Sequence, residues 1–301
     1  MVVLRTRRYA RWVVRGLLSE LWSNVGPSRR FAGPPVASRG APGWAVVTGG
    51  TGAIGEAVCR GLAARGYDVV VGARDAARGA AVADAVARDF GVRSRAAVGD
   101  VRDAATFAGG DDAPVLLINN AGVMGVARDE TLRVNLFAPA GLTFTLLDGN
   151  PDLRVVNVCS SSHLRAGAVR GDRLEDAGVD GSLEVYAESK LGLMQHTAAL
   201  RRSGVDARAC HPGLVWTPMM RGFFGPRLCA ALGPVRRRLF RTPEQGAATV
   251  LAAALEESLE DADGDLIYFV DGRLAPRAAS PEARTQELPP DVAALLRRGV
   301  S

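Results

Sequence analysis

Lysine is almost missing from this sequence. Its 301 residues contain 36 Arg and a single Lys, which is Lys190. The two side chains carry the same charge, but lysine ends in a compact ammonium and arginine in a broad planar fork. Because arginine stands at every other such position, we expect Lys190 to occupy a site where only the ammonium fits.

Cysteine and histidine are also scarce, and neither is spaced for chemistry. The four Cys show no CxxC pairing of the kind found in zinc sites, so no metal is predicted and we expect reduced thiols in or near the core. The three His have no partner at metal or triad spacing and are predicted to be structural. These residues are Cys59, Cys159, Cys210 and Cys229, and His163, His196 and His211.

The sequence has no hydrophobic run close to the roughly 20 residues that cross a bilayer, because Arg11, Arg15 and Glu20 interrupt the candidate near its start. Residues 1–43 instead mix Arg with Val, Leu and Trp at helical intervals and end in a Pro/Gly linker. Three interpretations stay open: peripheral contact of residues 1–30 with a membrane surface, an organelle-targeting leader, and a tail without function. Membrane association at the endoplasmic reticulum is favoured over a mitochondrial or cytoplasmic location.

The positive charge is unevenly distributed along the chain. Residues 1–43 hold eight Arg and one acid, a balance of +7 within the total of +5, so the remaining 258 residues carry −2. Neutralising nucleic-acid phosphates takes a clustered basic face, so this slightly acidic body predicts no nucleic-acid partner. With 48% hydrophobic residues, the chain can bury a sizeable core.

A strand, a glycine-rich turn and a helix begin at Trp44. An apolar run over residues 45–47 precedes the text TGGTGAIG at 48–55, apolar residues at helical spacing follow, and a second apolar run spans 69–71. This pattern predicts a βαβ unit whose glycines let the backbone approach a pyrophosphate at a helix N-terminus. The predicted cofactor contacts in this turn are Gly49, Thr51, Ala53, Ile54 and Gly55.

The end of the second predicted strand distinguishes between the two nicotinamide cofactors. A carboxylate there would bind the ribose 2′-hydroxyl of NAD, whereas this strand ends in Gly-Ala-Arg and places Arg74 where a 2′-phosphate could bind. NADP is therefore favoured, with NAD as the alternative. A solvated arginine without this role is the competing interpretation of Arg74.

Apolar runs continue to alternate with helix-like segments to the end of the domain. This alternation predicts an α/β fold, a Rossmann-type doubly wound parallel sheet with helices on both faces, in a single domain over 44–278 between the leader 1–43 and a tail 279–301. Ligands bind beyond the carboxyl ends of such strands. The runs lie at 96–98, 115–118, 154–158, 207–210 and 266–270, and the helix-like text at 131–147, 186–202 and 243–257.

Six motifs in order resemble the short-chain dehydrogenase/reductase family over residues 44–275. They are TGGTGAIG at 48–55, NNAG at 119–122, Asn135, NVCSSSH at 157–163, YAESK at 186–190 and HPGLVWT at 211–217. The texts NVCSSSH at 157–163, HPGLVWT at 211–217 and TPEQGA at 242–247 are most similar to the retinol dehydrogenase-like branch. The glycine motif and the Arg-rich leader also look like the polyprenol- and dolichal-handling members of that branch.

The resemblance implies roles for individual residues. It makes Tyr186 the proton donor, with Lys190, Ser160 and Asn135 beside it, and leaves Ser161 and Ser162 as neighbouring alternatives for the serine. The cofactor contacts that it implies are Asp100, Asn120, Ala121, Gly122, Tyr186, Lys190, Pro212, Gly213, Val215 and Thr217. The chain departs from the family pattern at Ala53, where glycine is usual, and in the shortened span from Asp100 to Asn119.

The spacing of Tyr186 and Lys190 gives the lone lysine a chemical reason. Residues four apart lie on one face of a helix. A phenol titrates near pH 10 in water, and a neighbouring cation stabilises the phenolate and lowers that pKa. In the family the same ammonium also binds the nicotinamide ribose, a position that suits a compact donor better than a planar fork.

The sequence therefore predicts an NADP(H)-dependent oxidoreductase of lipid metabolism. We expect hydride transfer between the nicotinamide and a lipophilic alcohol, aldehyde or ketone, such as a retinoid, polyprenol or dolichol, steroid or fatty aldehyde, with Tyr186 as acid/base. The reductive direction is favoured, and the resemblance leaves a homodimer open. The alternative is a nucleotide-binding scaffold of the same fold without turnover.

Overall fold

The computed structural model describes residues 43–108, 113–169, 183–232, 236–257, 259 and 265–298. The amphipathic segment expected near the start of the chain lies outside these residues. None of the helices in the described ranges could span a bilayer.

Eight strands form one sheet in the described part of the chain, in the order β3-β2-β1-β4-β5-β6-β7-β8. Strands β1 to β7 pair in parallel, and β8 pairs antiparallel with β7. The strands are β1 (Trp44–Val47), β2 (Asp68–Ala73), β3 (Ser94–Val98), β4 (Pro114–Asn119), β5 (Arg154–Val158), β6 (Ala207–His211), β7 (Tyr268–Val270) and β8 (Arg273–Leu274).

Helices follow most of the strands. A π-helical turn (Arg133–Phe137) joins α4 to α5, and 3₁₀ turns span Ser161–Arg165 and Pro276–Ala278. The α-helices are α1 (Ala53–Ala63), α2 (Ala76–Phe90), α3 (Ala105–Ala108), α4 (Arg128–Leu132), α5 (Ala138–Leu147), α6 (Leu183–Arg202), α7 (Pro218–Leu232), α8 (Arg236–Leu239), α9 (Pro243–Leu255), α10 (Pro281–Thr285) and α11 (Pro290–Arg298).

The central strands are apolar on both faces, which is why helices cover the sheet on both sides. Val47 of β1 and its register partner Ile118 of β4 pack in one cluster with α1 and α9. Their neighbours Val46 and Leu117 point the other way and pack in a second cluster with α5. The prediction of a doubly wound parallel sheet in a single domain is confirmed.

The short span between Asp100 and Asn119 holds only a single helical turn, α3, among its described residues. The predicted shortening of this crossover is therefore visible in the structure. Its consequence is local, because α3 still buries Phe107, which is 3% exposed.

Residues 279–298, which the sequence presents as a tail, fold onto the body. Ser280 caps the N-terminus of helix α10, and its hydroxyl accepts a hydrogen bond from the Ala283 amide at 3.1 Å. The segment buries Ala283, Val292 and Leu296 in the same cluster as residues of α6. These apolar contacts make the segment part of the folded unit.

Candidate active site

The glycine turn after β1 is locked to the turn after β4. The Thr48 Oγ1 accepts hydrogen bonds from the amides of Asn120 and Ala121 at 2.9 and 3.0 Å, and Asn120 Nδ2 donates to the Thr48 carbonyl at 2.9 Å. A Cβ on Gly55 would lie 2.2 Å from the Gly49 carbonyl oxygen, and Gly49 itself has a φ of +62°. Both positions therefore need glycine, one for close approach and one for its backbone conformation.

Helix α1 presents its N-terminus to a groove of about 420 Å³. In the described structure Gly52 caps the helix and no side chain accepts from its first amides. Such amides bind anions. Of the predicted cofactor contacts, those lining the groove are Gly49, Thr51, Ala53, Ile54, Gly55, Arg74, Asp100, Asn120, Ala121, Gly122 and Thr217.

Two arginines, rather than one, stand where β2 meets α2. Arg74 and Arg78 are both exposed and both line the groove. Between them, the Asp75 carboxylate caps α2 by accepting from the Arg78 amide at 2.8 Å. Arg78 was not predicted from the sequence, although its position four residues after Arg74 in a helix start would have indicated it.

Asp100 contributes a fixed negative charge to the groove. Arg102 donates to both of its carboxylate oxygens at 2.8 Å. These hydrogen bonds are the main reason that the pKa of Asp100 lies below its usual value. The carboxylate is therefore held in one orientation and acts as an acceptor.

Asn135 joins three segments of the site from the π-helical turn. Its Oδ1 accepts from the Val123 amide at 2.8 Å, and its Nδ2 donates to the Val123 carbonyl at 2.9 Å and to Ser189 Oγ at 3.0 Å. Ser189 Oγ in turn donates to the Tyr186 carbonyl at 2.8 Å. The fully buried amide thus fixes α6 relative to the turn after β4.

Lys190 is a buried cation with spare donors. The side chain is 4% exposed, and its ammonium donates to the Val158 carbonyl at 2.9 Å and lies 5.9 Å from the centroid of the Tyr186 ring. Among the described residues, that carbonyl is its one hydrogen-bond acceptor, and burial lowers the pKa of Lys190. Two of the three ammonium protons are therefore available to a ligand.

Gly122 keeps the space beside these groups open. A Cβ there would lie 3.2 Å from Asn135 Oδ1 and 3.7 Å from Lys190 Nζ. Gly122 itself lines the groove, whereas Tyr186, Lys190, Ser160 and Asn135 do not. The Lys190 ammonium therefore lies next to the groove at Gly122, with Tyr186 half-buried on the same helix.

Ser160 lies two residues after β5 and caps the 3₁₀ turn that follows. Its Oγ accepts from the Ser162 amide at 3.2 Å and lies 3.1 Å from Ser162 Oγ. Ser161 and Ser162, the neighbouring alternatives, lie within the turn itself. A substrate oxygen bound at Ser160 would therefore take the place of the Ser162 hydroxyl.

His163 holds the backbone of Ser160 through a hydrogen bond to its carbonyl oxygen. Its Nδ1 lies 2.6 Å from the Ser160 carbonyl oxygen, and its Nε2 lies 3.2 Å from the Ser280 amide nitrogen. Because a carbonyl only accepts and an amide N–H only donates, the ring is neutral with its proton on Nδ1. The fully buried histidine thus joins the serine turn to α10, a structural role that agrees with the sequence prediction.

Four cofactor contacts were predicted in the segment after β6, and only the last of them lines the groove. Gly213 has a φ of +82° and packs against Arg241, which donates to the Pro212 carbonyl at 3.2 Å and pairs with Asp271. Val215 forms a bridge with Arg241. Thr217 lines the groove, whereas Pro212, Gly213 and Val215 are not among its lining residues.

A glycine turn at a strand end, an uncapped helix N-terminus and this groove define a dinucleotide-binding protein. The NAD dependent epimerase/dehydratase family model matches residues 45–219. Dehydrogenase/reductase SDR family member 13 from Bos taurus is 33% identical over 242 residues, 73% of this chain and 64% of that protein. The chain belongs to the short-chain dehydrogenase/reductase family.

The match covers a larger share of the length of two other relatives. Retinol dehydrogenase 13 from Homo sapiens is 31% identical over 269 residues, 81% of this chain and 80% of its own length. Polyprenol dehydrogenase from Homo sapiens is 31% identical over 253 residues, 74% and 76% of the two chains.

Solved structures agree with the fold. A Beutenbergia cavernae protein assigned as an NAD(P)-dependent gluconate 5-dehydrogenase, with NADP bound at low occupancy, superposes with a TM-score of 0.60. It is 25% identical, and the match covers 78% of this chain and 96% of that one. A Mycobacterium paratuberculosis protein, 24% identical, gives a TM-score of 0.63 over 88% and 95% of the two chains.

Proposed function

We propose that this chain is an NADP(H)-dependent oxidoreductase that interconverts a lipophilic alcohol and its aldehyde or ketone. The observation that carries the proposal is the buried ammonium of Lys190, which has one protein acceptor in the described structure and lies near both the Tyr186 ring and the groove-lining Gly122. A buried cation is costly unless it is paired or used. A dinucleotide ribose in the groove would take its remaining donors.

The groove suits a phosphorylated dinucleotide along its whole length. The amides at the N-terminus of α1 would bind the pyrophosphate, and Gly55 allows the close backbone approach that a Cβ would block. Arg74 and Arg78 place two guanidinium groups where a 2′-phosphate would lie, which favours NADP over NAD. NADP bound to the Beutenbergia relative supports the same choice.

Tyr186 and Lys190 carry out the proton chemistry in this proposal. When bound, the nicotinamide supplies a hydride to the carbonyl carbon or accepts one from the carbinol carbon. The Tyr186 hydroxyl donates its proton to the carbonyl oxygen, and the phenolate takes a proton back in the reverse direction. The Lys190 ammonium stabilises that phenolate, and the Ser160 hydroxyl holds the substrate oxygen.

The names of the relatives support a lipophilic substrate. Retinol dehydrogenases and polyprenol dehydrogenase share 31% identity with this chain, and their substrates are long apolar alcohols. The groove is lined in part by the apolar side chains of Val123, Val134 and Met219, which suit an apolar substrate. A membrane-associated location at the endoplasmic reticulum is consistent with such substrates and belongs to the same proposal.

Turnover of purified full-length chain with NADPH and NADH against a panel of retinal, polyprenal, steroid ketones and fatty aldehydes tests the function. We expect activity with NADPH, and Tyr186→Phe should lose at least about 100-fold in turnover while keeping NADPH affinity. Tyr67→Phe, which removes a hydroxyl remote from the groove, is the matched control. Cofactor binding without turnover of any carbonyl would instead identify an inactive scaffold.

A further inference from the structure

A second concentration of positive charge lies in the segment that begins at the groove-lining Pro218 and Met219. Residues 218–241 contain six Arg and no acid. Residues 1–43 carry +7 and this segment +6 within a total of +5, so the rest of the chain carries −8. The slightly acidic average of the body therefore conceals a strongly cationic segment.

The described part of this segment exposes both charge and apolar surface. The side chains of Arg221, Arg227, Arg236 and Arg238 are exposed, and Met219 and Leu228 are 38% and 45% exposed. We call these six residues the cationic surface. Exposed arginines with exposed apolar side chains between them are typical of segments that lie on a membrane interface.

Local sequence explains how α7 and α8 are held at this place. Helix α7 bends at Gly225, whose φ of +74° favours glycine, and Pro226 follows as the first residue of the next helical piece. Phe224 of α7 contacts Phe240, directly after α8, with ring centroids 5.7 Å apart. Trp216 lies edge-on to Phe240 at 4.7 Å and completes an aromatic cluster beneath both helices.

The cationic surface continues into the catalytic site. Thr217, Pro218 and Met219 line the groove, so Met219 belongs to both. We propose that the cationic surface docks on a bilayer containing anionic phospholipid and so brings the mouth of the groove to the membrane. Charge complementarity selects this occupant, and the exposed Met219 and Leu228 add contacts that a purely polyanionic partner would not use.

The docking proposal goes beyond the reaction and needs no particular substrate. Turnover of a short, water-soluble aldehyde should proceed without vesicles, so failure of docking and failure of the proposed function are distinguishable. A lipophilic aldehyde carried in the bilayer should instead depend on docking.

Cys229 offers a probe within the same segment. All four cysteines are free thiols, but three are buried, and burial raises the pKa of Cys59 and Cys159 to about 12 and that of Cys210 well above its usual value. Cys229 is partly exposed and lies in α7. A polarity-sensitive thiol dye should therefore label this position selectively in the full-length chain.

The experiment adds vesicles of phosphatidylcholine, with and without phosphatidylserine, to the full-length chain labelled at Cys229. We expect the dye emission to shift to the blue only with the anionic vesicles, and the shift to weaken with added salt. Sedimentation with the vesicles without any change at the dye would show that another part of the chain binds the lipid, and would overturn the proposal.

Two matched triple variants complete the test. Unlabelled protein is used to measure sedimentation with vesicles, and protein labelled at Cys229 is used to measure the dye emission. Replacing Arg221, Arg227 and Arg238 by Gln should weaken docking by about 100-fold, since each arginine near an anionic surface contributes about 1 kcal/mol, or about fivefold. The control replaces the exposed Arg88, Arg202 and Arg284 and should change it little. If the two triple variants lose vesicle binding equally, the cationic surface is not the docking site. If the dye responds equally to a single-stranded nucleic acid that carries the same total charge as the anionic vesicles, the partner is a polyanion and not a lipid surface.

Discussion

Buried cations differ in how fully the protein pairs them at the two ends of the parallel strands, here called the amino edge and the carboxyl edge of the sheet. At the amino edge, the guanidinium of Arg208 is 1% exposed and donates to the Asp206 carboxylate and to the carbonyls of Ala253 and Glu256. Arg154 beside it donates to the same carboxylate at 2.7 Å. At the carboxyl edge, Lys190 has one carbonyl acceptor among the described residues.

The difference separates a structural site from a functional one. The arginines at the amino edge meet a carboxylate and the C-terminal carbonyls of α9, where the helix dipole also favours a cation. Their donors are used by the protein, so they stabilise the fold. Lys190 retains donors and faces a groove, so part of its desolvation must be offset by a ligand.

Removing the carboxylate at the amino edge should have the largest effect. Burial of Asp206 acts to raise its pKa, but the hydrogen bonds and charges of Arg208 and Arg154 outweigh it and hold the pKa below its usual value. Asp206→Ala removes the carboxylate that the buried guanidinium groups of Arg208 and Arg154 share and should cost about 3–5 kcal/mol of unfolding free energy. Urea denaturation measures it. Asp265→Ala, which removes an exposed partner of Arg202, should cost less than about 1 kcal/mol.

A buried base on the same helix as Lys190 should make stability depend on pH. His196 packs edge-on against Phe144, and burial lowers its pKa from 6.5 to about 4. The unfolded chain therefore takes up this proton at a higher pH than the folded chain. Stability should fall as the pH drops from about 6.5 to about 4, by about 3 kcal/mol, and this contribution should be constant below that range.

His196→Met should remove most of that slope in denaturation curves measured across the same pH range. His211→Gln serves as the control and should retain it. An unchanged slope in the His196 variant would mean that other groups cause the acid sensitivity.

Exchanging the cations tests the comparison directly. Lys190→Arg preserves charge but replaces a compact donor by a planar fork, and we expect about 100-fold lower turnover with the fold intact. Arg208→Lys is the reciprocal change and should lower stability while leaving turnover per folded molecule unchanged. Near-normal turnover of Lys190→Arg would contradict the special role of the single lysine.

The smallest effect is expected at the exposed end of the groove. Arg74→Ala and Arg78→Ala should each weaken NADPH binding by about 10- to 30-fold, or about 1–2 kcal/mol, with NADH little changed, because only NADPH carries the 2′-phosphate. Fluorescence titration of both cofactors measures this. Equal weakening of the two would assign the arginines to structure.

The fold and the centre of the site could be predicted because their patterns are local. The strands follow short apolar runs, and Tyr186 and Lys190 sit four apart on one helix. Boundaries were less accurate: β3 begins at Ser94 rather than residue 96, since half-buried polar residues can also pair. The residue roles in the reaction stay predictions.

Contacts between distant segments were not predictable from one sequence. No characteristic amino-acid pattern predicts the π-helical turn that positions Asn135, and the turn packs against α6. Arg102, which holds Asp100, also donates to Glu130 at 3.0 Å from 28 positions away, and apolar spacing alone did not reveal that the helix of Val292 and Leu296 packs against α5. Such features depend on side chains that meet only after the chain has folded.

The histidine that joins the serine turn to α10 has a consequence for the order of events during refolding. His163 and the Ser280 amide are 117 positions apart, so their bond closes a long loop and should form late. The hydrogen bonds that join the glycine turn to the turn after β4 close shorter loops, of 72 and 73 positions, and should form earlier. Refolding should therefore pass through a species that already binds the cofactor while its serine turn is still unanchored, with recovery of cofactor fluorescence running ahead of recovery of turnover.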